Sequence, residues 1–290
     1  MLFIYNPNSG KGNIKEHLTG IIDIFVKGGY EVTIHPTQAR EDAFHKTISR
    51  GLDFDVICCS GGDGTLNEVI TAMMSLNVKI PLGYIPAGTM NDFASSLGVP
   101  KNMIEAANRI TSGEAMAVDI GKFNDKYFTY VAGFGALTDV AYETPQQMKN
   151  MFGSLAYVME GMKRLGVFKS YNITATYDGN EISGDFIFGM TSNAKTVAGI
   201  KDLGGSDVMM NDGVFECLLI KKPLNIVEFQ MIMNAFLRRE MVSEYFHYFK
   251  TSKIEFHSED DLPWTLDGEF GGNCRNVVIE NNCCAVEVLI

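Results

Sequence analysis

One hexapeptide narrows the folds open to this chain more than any other stretch. Ser60-Gly61-Gly62-Asp63-Gly64-Thr65 follows the apolar run Val56-Ile57-Cys58-Cys59 and precedes apolar residues at helical spacing over 66–74. A buried strand must therefore end in a glycine-rich turn that opens a helix. Glycines there permit positive φ and let backbone N–H groups approach a ligand without a Cβ in the way. The first turn of the helix adds unpaired N–H donors and the positive end of its dipole, a phosphate site in waiting. Thr65 supplies a hydroxyl. Asp63 would be repelled by phosphates unless a cation intervened, which implies magnesium in or near the site. A tight βα turn capped by Asp or Thr uses the same residues, so the motif alone decides little.

The neighbouring sequence repeats the theme. Leu2–Tyr5 is an apolar run ending in Asn6-Pro7-Asn8-Ser9-Gly10-Lys11-Gly12, and Ile14, Leu18, Ile21, Ile22, Phe25 and Val26 then mark one face of a helix ended by Gly28-Gly29. Residues 31–35 predict a second strand, 41–48 a helix, 56–59 the third strand and 80–85 the fourth, which leads into Pro86-Ala87-Gly88-Thr89. Such alternation predicts a parallel sheet covered by helices, with ligands at the carboxyl ends of its strands. Three polar, small-residue loops, over 6–10, 61–65 and 88–93, then converge on one sheet edge. Neither GxxxxGK[ST] nor GxGxxG occurs, so the fold is not a Walker or dinucleotide-binding one.

Beyond about residue 120 the texture becomes β-rich, at 126–131, 171–177, 185–191, 214–220, 253–257 and 277–280, interrupted by helical spacing at 153–165 and 224–236. The reading is an α/β nucleotide-binding domain over 1–122 with a parallel sheet, and an antiparallel β-sandwich domain over 123–290. In the second half stands Trp264-Thr265-Leu266-Asp267-Gly268-Glu269. Two carboxylates flanking a glycine can act together, one taking a proton and the other orienting it or a metal, although solvated acids on a surface turn have the same sequence.

Composition limits the partners. A net charge of −11 disfavours nucleic acid, whose phosphates the average field would repel. Docking on an anionic membrane would need local basic clusters, for which Lys163-Arg164 with Lys169, Lys221-Lys222 and Arg238-Arg239 are candidates. No apolar stretch nears the ~20 residues that cross a bilayer, and the start has no signal-peptide pattern, so the expectation is a cytoplasmic protein. The six cysteines include two adjacent pairs, Cys58-Cys59 and Cys283-Cys284, with no zinc spacing. Neighbours on a strand point to opposite faces, so both pairs read as buried reduced thiols. The five histidines show no ligand spacing either.

Taken together, Asn6-Pro7-x-Ser9-Gly10, Gly61-Gly62-Asp63-Gly64-Thr65-Leu66-Asn67-Glu68, Pro86-x-Gly88-Thr89-x-Asn91-Asp92-Phe93-Ala94, Asn211-Asp212-Gly213 and Leu266-Asp267-Gly268-Glu269 resemble the bacterial diacylglycerol kinase family of lipid kinases, related to eukaryotic diacylglycerol and sphingosine kinases. The resemblance spans nearly the whole chain. It implies an α/β domain of the NAD-kinase and diacylglycerol-kinase type plus a β-sandwich domain, with the site in the cleft between them. It assigns nucleotide contacts to Asn6, Pro7, Asn8, Ser9, Gly10, Thr37, Gly62, Asp63, Gly64, Thr65, Leu66, Asn67, Glu68, Thr89, Asn91 and Asp92. Asp267 and Glu269 become the pair that activates the acceptor hydroxyl, Asp267 as the expected base and Glu269 as its partner. It also implies a structural metal on Asp212 with the carbonyls of Met209 and Val214, and a water and magnesium network on Asp63, Asp92 and Asp119 near the phosphates.

The activity so implied is transfer of the γ-phosphoryl of ATP, with Mg2+, to the hydroxyl of diacylglycerol or a related lipid. At ~0.8 kcal/mol per CH2, drawing two acyl chains into water would cost on the order of 20 kcal/mol, so the chemistry must be done at a bilayer surface or under shelter. The protein is therefore expected at the inner face of the membrane, with Phe134, Leu137, Phe152, Tyr157, Met159 and Met162 as an apolar wall for the chains. Homodimer formation stays open. The competing readings are a soluble-substrate kinase such as NAD kinase or phosphofructokinase, a non-catalytic nucleotide-binding relative and a purely structural protein. The 88–93 loop and the acid pair favour the lipid branch.

Overall fold

The computed structural model describes residues 1–76, 79–135, 169–197, 200–201, 208–238 and 244–290. The expected helix at 153–165, most of the proposed apolar wall, Lys163, Arg164 and Arg239 lie outside them.

The first half follows the hydrophobic pattern. Strands β1 (Leu2–Tyr5), β2 (Thr33–Pro36), β3 (Ile57–Gly61) and β4 (Leu82–Pro86) alternate with helices α1 (Ile14–Lys27), α2 (Asp42–Arg50) and α3 (Asp63–Ser75). β1 pairs in parallel with β2 and with β3, and β3 with β4. β3 and β4 are buried along their whole length, as continuous apolar runs covered on both faces must be. Ile14, Ile21 and Phe25 turn α1's apolar face onto this sheet, and Gly28 ends the helix with its N–H on the Ile24 carbonyl. Two short helices follow, α4 (Asp92–Leu97) and α5 (Met103–Ser112), the latter capped by Asn102, whose side chain accepts from the N–H groups of Ile104 and Glu105.

The second half contains β5 (Ala115–Phe123), β6 (Lys126–Phe128), β7 (Val131–Gly135), β8 (Tyr171–Tyr177), β9 (Asn180–Ser192), the small ribbon β10 (Thr196–Val197) and β11 (Ile200–Lys201), β12 (Phe215–Lys221), helix α6 (Ile226–Arg238), β13 (Phe246–Thr251), β14 (Lys253–Leu266) and β15 (Glu269–Leu289). Hydrogen bonding joins the strands of both halves, β10 and β11 apart, into one 13-stranded sheet, in which β5, β6 and β8 branch off a ten-strand path. Two long, bulged strands cause the merger. β14 pairs with β8 through 255–258 and with β7 through 264–266, while β15 pairs with β14 and β5 along its length. The end of β15 then returns to the first half, where Val288 and Leu289 lie parallel to Leu82 and Gly83 of β4.

Side chains from β5, β6, β7, β8, β9, β12, β14 and β15 meet in one apolar cluster. Eight strands spaced about 4.8 Å apart could not converge so on a flat sheet, which must curl around them. Trp264 sits at the centre, with the rings of Phe134, Phe123 and Phe256 edge-on at 5.0, 5.1 and 5.2 Å.

Candidate active site

The three loops expected at one sheet edge interlock there. Ser9 Oγ accepts from the Gly62 N–H at 3.2 Å, Asn6 Nδ2 donates to Thr65 Oγ1 at 3.2 Å, and the Ala87 N–H donates to the Gly61 carbonyl at 2.8 Å. Gly10 has φ +57, and a Cβ there would stand 2.4 Å from the Ala87 carbonyl oxygen; one on Gly88 would stand 2.5 Å from Gly62 Cα. The loops touch backbone to backbone, and glycine is what allows it. Asn91, at φ +53, closes the third loop by bonding both polar groups of the Gly88 backbone with its side-chain amide. Thr89 is exposed beside it, and Thr37 is fixed by its N–H on the Tyr5 carbonyl.

α3 begins at Asp63 with Gly62 as N-cap and no side-chain cap, so its first-turn amides remain available to an anion. Three of the residues assigned to the nucleotide are engaged by the protein itself. Leu66 is fully buried in the core and its N–H is bound to the Gly62 carbonyl. Glu68 has both oxygens on the start of α2, accepting from the N–H groups of Glu41 and Ala43 at 2.8 and 3.2 Å. Asn67 points across to the second half of the chain. All three are thus held by contacts within the protein.

Asn67 Nδ2 donates to Asp267 Oδ2 at 2.9 Å and to the Tyr127 carbonyl at 3.3 Å. Asp267 is buried and stands at φ +49 in the turn between β14 and β15. Its Oδ2 also accepts from the N–H and Oγ of Thr129 at 2.6 and 2.8 Å, and its Oδ1 from the N–H groups of Tyr130 and Val131 at 3.0 and 3.1 Å. Burial raises the Asp267 pKa while these bonds pull it down. Glu269, two residues on, is different: its side chain is 66% exposed, with Arg40 Nη2 3.8 Å from Oε2. Asp267 is engaged by five donors, and Glu269 is the carboxylate left free to meet a substrate.

Asp63 accepts from the N–H groups of Asp92 and Phe93, and its pKa is pushed up to about 7 by burial and then by the charges of Asp92 and Asp267. Its Oδ1 is buried with no hydrogen-bond partner among the described residues. Burial, with these same acids nearby, also pushes the Tyr130 phenol up. An acid cluster with an unspent oxygen is a donor set that a hard divalent cation fits. Asp119 has its own set of donors. Its carboxylate accepts from the N–H groups of Gly213 and Cys284 and from Asn281 Nδ2, at 2.7, 2.7 and 3.2 Å. That places Asp119 beside the Asn211-Asp212-Gly213 turn: the bulge in β15 brings Cys284 to β5. In the same turn Asp212 Oδ1 accepts from the Val214 N–H, and Met209 is exposed.

Sequence reasoning missed Arg40 and the backbone of 129–131. No side-chain signal could have found main-chain amides that hold an acid about 137 positions away.

Comparison with known proteins places this arrangement. Residues 1–123 match the diacylglycerol kinase catalytic domain family. A diacylglycerol kinase of Bacillus subtilis (strain 168) is 36% identical over 272 residues, covering 93% of this chain and 89% of its relative. One from Staphylococcus aureus (strain bovine RF122 / ET3-1) is 35% identical over 271 residues, covering 93% and 85%. Among solved structures, one from Bacillus anthracis str. Sterne superposes with a TM-score of 0.85 at 25% identity, over 99% of this chain and 94% of the other.

Proposed function

This chain belongs to the diacylglycerol kinase family and is a lipid kinase, and we propose that it transfers the γ-phosphoryl of ATP to the free hydroxyl of diacylglycerol. The observation that carries the reading is the Asn67–Asp267 bond, which ties the phosphate-type loop of one half to the acid-bearing turn of the other. In this reading the amides at the start of α3, with Ser9, Gly10 and Thr89, hold the triphosphate. Asp63 and Asp92 would hold magnesium, which would offset phosphate charge.

Phosphoryl transfer is mostly positioning and electrostatics, and the base need only orient the hydroxyl and accept its proton late. Glu269 fits that task, since its oxygens are exposed and few bonds compete for them. Asp267 fits the sequence-based role of base poorly, because protonating it would break bonds to donors that already occupy its oxygens. It acts as the buried anion that fixes where Glu269 stands. The acceptor is a bilayer lipid, so the reaction belongs at a membrane surface. Asp212, with the carbonyls of Met209 and Val214, remains the proposed structural metal position.

The test is transfer of label from γ-labelled ATP with Mg2+ to vesicles of phosphatidylglycerol containing diacylglycerol. Labelled phosphatidic acid should appear in the organic phase. Label that never leaves the aqueous phase, with diacylglycerol at saturation, would sink the reading. Glu269→Gln should reduce turnover by about 10²- to 10⁴-fold with the Kd for ATP unchanged.

A further inference from the structure

We infer that Cys283, Cys284 and Asp119 form a binding site for a thiophilic d10 cation of the zinc class, apart from the phosphate loops and independent of the kinase reading. Two adjacent cysteines on a regular strand would point to opposite faces. Here β15 is irregular between Asn282 and Val286, and Cys284 takes φ +51, so the alternation is broken. The two sulfurs come to 3.7 Å from each other. Two thiolates bound tetrahedrally at the usual Zn–S length of about 2.3 Å would lie about 3.8 Å apart. The cysteines already have that spacing, held by backbone geometry.

Asp119 supplies the third donor. Ligand atoms of all three residues lie within 4.8 Å of one another, and about 1 Å of closure would give a thiolate–carboxylate edge of roughly 3.6 Å. The Cys284 N–H on Asp119 Oδ1 and the Gly213 N–H and Asn281 amide on Oδ2 fix the carboxylate from behind, as second-shell donors fix metal ligands. Asn281 Oδ1 is buried with no hydrogen-bond partner among the described residues, an unspent acceptor at the same place. Two thiols with one carboxylate suit zinc or cadmium and not magnesium, which takes oxygen ligands in an octahedron. Entry is open: Cys283 is exposed and, with Asn282, borders a cavity of about 530 Å³ between the end of α3 and β15.

Binding displaces the two thiol protons to solvent as both sulfurs bond the cation. The ion would pin the β15 bulge to β5 and, through Asp119, to the Gly213 turn.

The experiment uses the reduced, metal-free full chain and Cd2+ as probe. The ultraviolet thiolate-to-cadmium band should grow to saturation at one Cd2+ per chain, and Mg2+ in large excess should not displace it. Cys283→Ser should weaken binding at least tenfold and halve the band, while Cys274→Ser changes neither. As a measurement that needs no variant, stoichiometric Zn2+ should protect two thiols from iodoacetamide, mapped by peptide mass to Cys283 and Cys284. The inference is overturned by no band at one equivalent, by unchanged affinity in Cys283→Ser, or by protection that is absent or falls on Cys274.

Discussion

Asp267 and Glu269 lie two positions apart and have opposite environments, which sets separate expectations for their removal. Asp267→Asn puts an amide nitrogen among N–H donors and removes the charge they were arranged around, so it should cost roughly 2–4 kcal/mol of stability. Glu269→Gln, on an exposed side chain, should shift stability by less than about 0.5 kcal/mol while lowering turnover by the roughly 10²- to 10⁴-fold expected above. Urea unfolding of the two variants separates the roles; an Asp267→Asn protein as stable as the parent would remove the anchor argument. His247 gives a pH expectation. Burial and then the charge of Lys221 depress its pKa below 6.5, and its buried Nε2 has no hydrogen-bond partner among the described residues. The fold holds the neutral ring. Its contribution to stability is complete above the unfolded value of 6.5 and lost as pH falls through the depressed one. In His247→Phe, which keeps a ring against Phe186, the drop in thermal midpoint from about pH 7.5 to about pH 5 should be smaller than in the parent.

At the scale of elements, the loops after β1, β3 and β4 act as one body because glycine lets their backbones touch. A methyl group at Gly88 would meet Gly62 Cα at 2.5 Å and push the first turn of α3 away from the 88–93 loop. Gly88→Ala should therefore raise the Kd for ATP at least about tenfold, equivalent to 1.4 kcal/mol, as read by calorimetry. An unchanged Kd would mean that the phosphates lie elsewhere. α2 shows the same dependence between elements. It has no side-chain cap of its own, its N-cap Glu41 being left-handed, and Glu68 from α3 supplies the acceptors instead. Glu68 thus braces the helix beside the nucleotide loop.

For the whole molecule the decisive feature is the return of β15 to β4. Val286, Val288 and Leu289 are buried, and the last two extend the parallel sheet of the first half. Three buried aliphatic side chains at about 1.5–3 kcal/mol each, with the strand's hydrogen bonds, approach the 5–15 kcal/mol that holds a typical domain folded. Removing residues 286–290 should leave a chain that aggregates or shows no cooperative unfolding by circular dichroism. Retention of the parent midpoint would mean that the halves are energetically separate.

In the first half the four strands and α1 to α3 were legible because each is an apolar run of the right period bounded by glycine or proline, whereas the two short helices α4 and α5 were not read. The phosphate-type loops were legible because their chemistry depends on local backbone freedom at Gly62, Gly64 and Gly88. The bulge and left-handed residue that turn Cys283 and Cys284 to one side, the curl that merges the strands into one sheet, and the five donors that separate Asp267 from Glu269 were not. Each arises from segments far apart in sequence and is fixed by long-range pairing, where register and burial override any local pattern. Sequence by itself determined which residues could bind phosphate or take a proton; only the tertiary structure decided which of the two acids is free to do so, because five donors already occupy the oxygens of buried Asp267 and exposed Glu269 has its own to spare.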